Sequence, residues 1–450
     1  MRIILVLIIG VGCYWVYTQK DKYKLILDNK FWIFISWGFA FILYFFLGIE
    51  YTQKLNIYSF GYIILYWALF IGGQYAFKKY SKNKKINKEE KVIDLSEKIN
   101  LFPLFIVSLV CVIVYAIYII SINNINIGTT RDIKTNGFAT LLLIFSNSSL
   151  IIWLYELAYA IINEKKITVY GVLSAVIYNI PGIIISGRDA LMIFLVSTAI
   201  VFIYCGNYAK KVLNKECKTY KTILKCLIAA FAAIMIYLIF LSNNRYGTDK
   251  SSVINMFIWS SKCQFPPYLE WIYYNLGGLG KLILNVVFYY SSQLSKFALI
   301  FEKYDGPYMF GLYQLHYVSR LLPESWNMSF SIVTSKIYEI TKNAGIPGLK
   351  VFWETAIGYS IYDFGRIGTL IMAFISGGIL EKINELCNSK KNVLSITIKT
   401  FICTAMFLTI EVSPVFDYYY VFPAFWLGLI SFLDLKGAKN IWKIKKEIYR

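Results

Sequence analysis

The chain has 450 residues, of which 58% are hydrophobic and only 16% charged, with a mean hydropathy of +0.55 and a formal net charge of +20. Soluble domains are about 45–50% apolar and about 25% charged, so most of this surface cannot face water and a soluble globular class is excluded. The positive charge is not a nucleic-acid footprint either, because the basic residues stand in short runs between apolar segments rather than on one folded face.

A membrane-spanning helix needs ~20 apolar residues, and its backbone groups must bond internally because lipid offers no partners. On that rule the sequence predicts about eleven spans: 2–17, 31–48, 56–77, 101–121, 138–162, 169–186, 190–206, 226–242, 366–382, 394–410 and 418–435. The first is short. It resembles a retained signal anchor, since no A-x-A cleavage site follows it. Pro181-Gly182 and then Gly187-Arg188-Asp189 break the sixth span from the seventh. The fold class expected is an all-α polytopic membrane protein, one integral domain over 1–450, with a large external loop at 243–356.

Orientation follows from the loops. Segments 18–30, 78–100, 163–168, 207–225, 383–393 and the tail 436–450 hold 28 Lys and Arg. Loops 49–55, 122–137, 187–189 and 411–417 hold four. An excess of basic residues marks the cytoplasmic side. The C-terminus is therefore expected in the cytoplasm, and the N-terminus and 243–356 outside. Within the long loop, Ile283, Val287, Tyr290, Leu294, Phe297 and Phe301 recur at helical spacing, while Asn285, Ser291, Ser292 and Lys296 mark the other face. This pattern predicts an amphipathic helix lying on the membrane or packed on the bundle; a membrane-spanning helix at 280–301 is the alternative.

Several chemistries are not supported. Eight cysteines form no CxxC pair, and His316 is the single histidine, so neither a disulfide scaffold nor a metal site is expected. Gly277 to Lys281 lacks the rest of a phosphate-binding loop. Asp363-Phe364-Gly365 lacks the other kinase elements.

The arginines are more informative. Only seven of the 46 basic residues are Arg, and Arg131, Arg188, Arg245, Arg320 and Arg366 all fall on the expected outer side. Topology needs only positive charge, which the Lys-rich loops supply. The planar guanidinium adds a bidentate fork for phosphate or carboxylate. Arg188 beside Asp189, Arg245 beside Tyr246, and Arg320 one turn after His316 are the strongest candidates. Each also has a plain reading, as a turn charge or a snorkelling side chain. His316 is a candidate general base with a suitable intrinsic pKa; Glu354 and Asp363 are alternative bases. Tyr418-Tyr419-Tyr420 is either an interfacial belt or a surface on which sugars stack.

Ser186-Gly187-Arg188-Asp189-Ala190-Leu191 resembles the GR-x-x-L turn of bacterial oligosaccharide repeat-unit polymerases of the Wzy class. Arg245 after a span, a long external loop with amphipathic helices, and Trp353-Glu354-Thr355…Tyr362-Asp363-Phe364-Gly365…Gly368 resemble the same class. The resemblance implies a helical membrane bundle of the GT-C type in the bacterial cytoplasmic membrane. It implies polymerisation of O-antigen (lipopolysaccharide) or capsule units at the outer face of that membrane, without metal or other cofactor. The implied substrate is a glycan on undecaprenyl diphosphate, with membrane lipid, a flippase and a chain-length regulator as partners. Arg188, Arg245 and Arg320 would then hold the diphosphate, with Asp189, Tyr246 and Asp363 also on the substrate. His316 or Glu354 would be the base, and Arg188 would also serve in catalysis. A lipid-linked oligosaccharide flippase, an O-antigen ligase and a structural membrane protein are the competing readings.

Overall fold

The structure, a computed structural model, describes residues 1–81, 98–123, 136–185, 187, 189–213, 218–246, 252–319, 324–346, 354–390 and 392–435. Among them the chain forms seventeen α-helices. In order these are α1 (Arg2–Thr18), α2 (Asn29–Phe46), α3 (Ile57–Ser81), α4 (Phe102–Asn123), α5 (Gly137–Ser146), α6 (Ser149–Asn163), α7 (Val169–Ile184), α8 (Asp189–Lys211) and α9 (Lys218–Tyr246). Then come α10 (Ser252–Ser261), α11 (Pro267–Asn275), α12 (Gly277–Lys303), α13 (His316–Ser319), α14 (Glu324–Asn343), α15 (Ala356–Lys390), α16 (Val393–Leu408) and α17 (Tyr418–Leu435). Seven stretches are long and apolar enough to cross a membrane, with α5 and α6 together forming one of them, and α1, α7 and α16 are shorter apolar helices. The protein is an all-α membrane protein. The segments expected to span fall on helical backbone, with 138–162 divided between α5 and α6. One short antiparallel ladder departs from the all-α expectation: β1 (Glu50–Tyr51) pairs with β2 (Cys263–Gln264).

The chain parts into two compact units. One comprises Met1–Lys88, Ala233–Glu385 and Ala405–Asp417; the other comprises Glu89–Ala232, Leu386–Thr404 and Tyr418–Arg450.

In the first unit, α12 is the central element and packs against α2, α3, α10, α11 and α14. Its apolar stripe does not separate a dry face from a wet one. Asn285, Ser291, Ser292, Gln293, Ser295 and Lys296 are all buried, so of the two expected placements the helix is packed into the unit rather than laid on a surface. The signal was present in the sequence: from 282 to 301 Lys296 is the only charged residue, and the rest of the polar face is small hydroxyls and amides, some of which bond to the preceding turn of the helix. Ser291 donates to the Val287 carbonyl, for example, at 2.6 Å. The C-terminal end of α12 is closed by Arg366, whose Nε donates to the Phe301 carbonyl at 2.7 Å and whose Nη2 donates to that of Glu302 at 3.4 Å. Orphan carbonyls at a helix end need such donors, so Arg366 has a structural task.

Helices α3 and α15 cross at glycines. A Cβ on Gly73 would lie 2.0 Å from the Phe374 carbonyl oxygen, and one on Gly377 would lie 1.9 Å from that of Phe70. Such small-residue contacts let backbones approach where lipid supplies no hydrophobic drive between helices.

In the second unit, α4 to α8 pack on one another, with α17 against α5, α6 and α8. Glu156 on α6 is 1% exposed. It accepts from the Lys98 ammonium at 2.8 and 3.0 Å, from the Thr168 hydroxyl at 2.9 Å and from the Tyr170 hydroxyl at 2.8 Å. A buried carboxylate with every oxygen bonded is a tie between elements. Tyr419 and Tyr420 are buried. Tyr178 donates to the Tyr419 carbonyl and Tyr420 to that of Phe401, both at 2.8 Å. Those two tyrosines pack inside the unit and form neither a surface belt nor an open stacking platform.

Candidate functional site

The clearest concentration of ionisable and aromatic side chains lies in the first unit, where α15 begins. Thr355 caps that helix by accepting from the Gly358 amide at 3.2 Å, and the Ala356 amide donates to the Thr409 carbonyl at 2.8 Å. Glu354 precedes the cap and is 2% exposed. Its Oε1 accepts from the Tyr362 hydroxyl. No hydrogen-bond donor among the described residues reaches its Oε2. Gly358 makes room for that oxygen, since a Cβ there would come within 2.4 Å of it.

Lys296 of α12, 3% exposed, is the cation coupled electrostatically to this carboxyl. Burial pushes the Glu354 carboxyl well above the usual carboxylate range, and Lys296 opposes that shift. Burial also lowers the Lys296 ammonium to about 8, opposed by Glu354 and then Cys263. Desolvation favours the neutral form of both groups, whereas their mutual attraction favours the charged forms.

Asp363 works differently. Its Oδ1 accepts from the Tyr313 amide at 2.9 Å and its Oδ2 from the Gln314 amide at 3.2 Å. The Phe310 amide donates to its carbonyl at 2.8 Å, and the Met309 amide to the Tyr362 carbonyl at 3.2 Å. These bonds need exposed backbone on α15, and Gly365 supplies the break with φ +65° and ψ −179°. Asp363 therefore anchors the 309–314 segment.

The anchored segment leads into α13 and His316. The imidazole stacks on Phe416 at 4.1 Å between ring centroids, and on Phe330 at 5.5 Å. Phe416 also meets Tyr359 at 4.4 Å and Tyr313 at 5.8 Å, and Tyr313 meets Tyr362 at 5.0 Å. Ser413 donates to the Gln314 side-chain oxygen. One continuous aromatic cluster thus connects His316, Asp363 and Glu354, three residues singled out from separate stretches of sequence.

Other expected site residues lie elsewhere. Asp189 is the first residue of α8, in the second unit. Arg188, Arg320 and Arg131 fall outside the described residues, as do the side chains of Arg245 and Tyr246, whose backbones end α9. Helix α13 ends at Ser319, so the one-turn pairing of His316 with Arg320 also lies outside them. Lys296 was not among the expected site residues; in the sequence it stands only as part of the polar side of an amphipathic stripe. No group of three or more His, Cys, Asp or Glu that could hold a metal occurs among the described residues.

No family model, curated protein or solved structure matches this chain.

Proposed function

We propose that the chain is a membrane glycosyltransferase of the Wzy type. It polymerises repeat units of O-antigen or capsule carried on undecaprenyl diphosphate, at the outer face of the bacterial cytoplasmic membrane, within a GT-C-type bundle of about eleven spans. One observation carries the reading furthest: Glu354, a buried carboxyl whose second oxygen meets no hydrogen-bond donor among the described residues, shares an aromatic cluster with His316. Aromatic faces suit sugar rings, and a tuned carboxyl suits removal of a hydroxyl proton.

In the reaction proposed, the acceptor sugar hydroxyl on a new lipid-linked unit attacks the anomeric carbon of the growing chain. A carbon–oxygen bond forms there as the bond to the diphosphate breaks, and the lipid diphosphate leaves with the electron pair. Glu354 or His316 takes the hydroxyl proton. Negative charge grows on the leaving group, so guanidinium forks from Arg188, Arg245 and Arg320 would stabilise the transition state more than the ground state. The one-sided placement of Arg in the sequence supports that assignment.

The test is the glycan ladder of a strain lacking the gene. Single repeat units on the usual outer carrier, with no polymer, are expected. Loss of even the single unit, with intermediates retained inside, would instead indicate a flippase. Chains left on polyprenyl diphosphate outside would indicate a ligase, and an unchanged ladder would remove the protein from this pathway altogether.

A further inference from the structure

A cavity of about 250 Å³ opens in the first unit between the start of α1, the end of α2 and β1. Three charged side chains line it, Arg2, Glu50 and Lys54, together with the rings of Tyr44, Phe45 and Tyr51. The chain around it is fixed. Gly48, at φ +70°, turns the backbone out of α2, and Glu50 and Tyr51 then pair with Gln264 and Cys263. The Thr52 amide donates to the Lys262 carbonyl at 3.0 Å and the Ser295 hydroxyl to the Gln53 carbonyl at 2.8 Å. The Leu55 amide donates to the Tyr44 hydroxyl at 2.7 Å, so Lys54 stands between two tethered residues. Tyr51 stacks on Tyr44 at 5.4 Å with the ring planes 8° apart. The charged side chains, by contrast, are unmatched. Among the described residues, the side chains of Arg2, Glu50 and Lys54 make no hydrogen bond or ion pair, although all three line one cavity.

Two cations against one carboxylate leave the lining side chains net positive, and the sequence makes that excess unusual. On the orientation expected from the loop charges both cations lie outside, where 49–55 holds no other basic residue and insertion calls for none. Arg2 is also one of only seven arginines. A guanidinium fork beside an ammonium matches the oxygens of a phosphate. The volume lies just under the ~300–1,000 Å³ of pockets that take whole small molecules, which suits a headgroup rather than a complete lipid. Apolar surface for the rest of the lipid lies beside it: Ile3, Ile4 and Leu7 on α1 and Phe46 on α2 are exposed. Basic pockets between membrane helices hold lipid headgroups in this way. We propose that Arg2 and Lys54 form a binding site for the phosphate headgroup of a membrane lipid, with its acyl chains along α1 and with Glu50 limiting the negative charge the site accepts. The site involves neither Glu354 nor His316, and it stands whatever reaction the protein performs.

The test is native mass spectrometry of the full chain in detergent, titrated separately with dioleoyl phosphatidylglycerol, undecaprenyl phosphate and uncharged dioleoylglycerol. Wild type is expected to hold a phosphate lipid more tightly than the diacylglycerol. In the Arg2→Gln, Lys54→Gln double variant that affinity should fall about tenfold or more, because two charge-assisted contacts are lost. Glu50→Gln should strengthen it. Lys166→Gln, at an exposed lysine of the other unit, should leave it unchanged. Whichever phosphate lipid shows the larger loss in the double variant is the one the site takes, a bulk phospholipid or a polyprenyl carrier. Equal affinities in wild type and the double variant for both phosphate lipids overturn the site. So does an equal loss from Lys166→Gln, or diacylglycerol bound as tightly as the phosphate lipids. Arg2, Glu50 and Lys54 are all exposed, so folding should survive their replacement. If the double variant does not fold, Lys54→Gln and Glu50→Gln are read singly: affinities that move in opposite directions support the site, and affinities that move together or not at all overturn it.

Discussion

Two buried glutamates illustrate how residues of one type divide between structure and chemistry. Glu156 has a lysine and two hydroxyls on its carboxylate, and nothing about it is left to give. Glu354 has a tyrosine on one oxygen and, among the described residues, no donor on the second. Space for that oxygen depends on Gly358. Gly358→Ala should therefore displace the carboxyl by rotation of its own flexible chain. The expected outcome is a fall in polymer-forming rate of tenfold or more, with a thermal midpoint within a few degrees of wild type, measured on the same membranes. A full rate would show that the position of Oε2 does not matter. Arg188→Lys is the matching test of the anion side. The charge stays but the bidentate fork is lost, so most activity should disappear from a normally expressed protein; near-full glycan length would remove Arg188 from the diphosphate site.

At the scale of elements, the close approach of α3 and α15 makes a sharper prediction than any side-chain contact. Gly377→Ala drives a methyl into the Phe70 carbonyl oxygen, and Gly73→Ala does the same at Phe374. Neither obstacle is a flexible side chain, so the helices must separate. A cost of about 1–3 kcal/mol is expected for each. Gly72→Ala, one residue away, meets nothing within 4 Å and should be neutral or slightly stabilising through higher helix propensity. Thermal unfolding of the three variants in one detergent separates them, and equal midpoints would refute the tight crossing.

The helices themselves were legible in sequence, because apolar runs of spanning length have few other stable forms in lipid. What lay hidden was the use of polar residues between them. The periodicity of α12 was read correctly, but periodicity says nothing of whether a polar face meets water or other protein. Its lack of charge beyond Lys296 was the signal to weigh. Asp363 was picked out for its carboxylate, yet its bonds run to backbone amides about fifty residues earlier in the chain, and no local pattern encodes that distance. The Gly73–Gly377 crossing has the same character.

For the whole molecule, the decisive question is which face of the membrane carries the Glu354 cluster. The loop charges argue for the outer face: a chain with 28 basic residues in one set of segments and four in the other inserts with the first set in the cytoplasm. That orientation can be tested without reference to any glycan. In a chain stripped of its native cysteines, Lys54→Cys tests the first expected outer loop and Lys166→Cys tests an expected cytoplasmic one; both positions are exposed. A membrane-impermeant maleimide applied to intact cells with a permeable outer layer should label the first and spare the second until the membrane is opened. The reverse pattern would put residue 354 on the cytoplasmic side. It would then face nucleotide-activated sugars and nascent lipid-linked units rather than completed ones, and polymerisation at the outer face would have to be abandoned however well the arginines and the carboxyl fit a diphosphate leaving group.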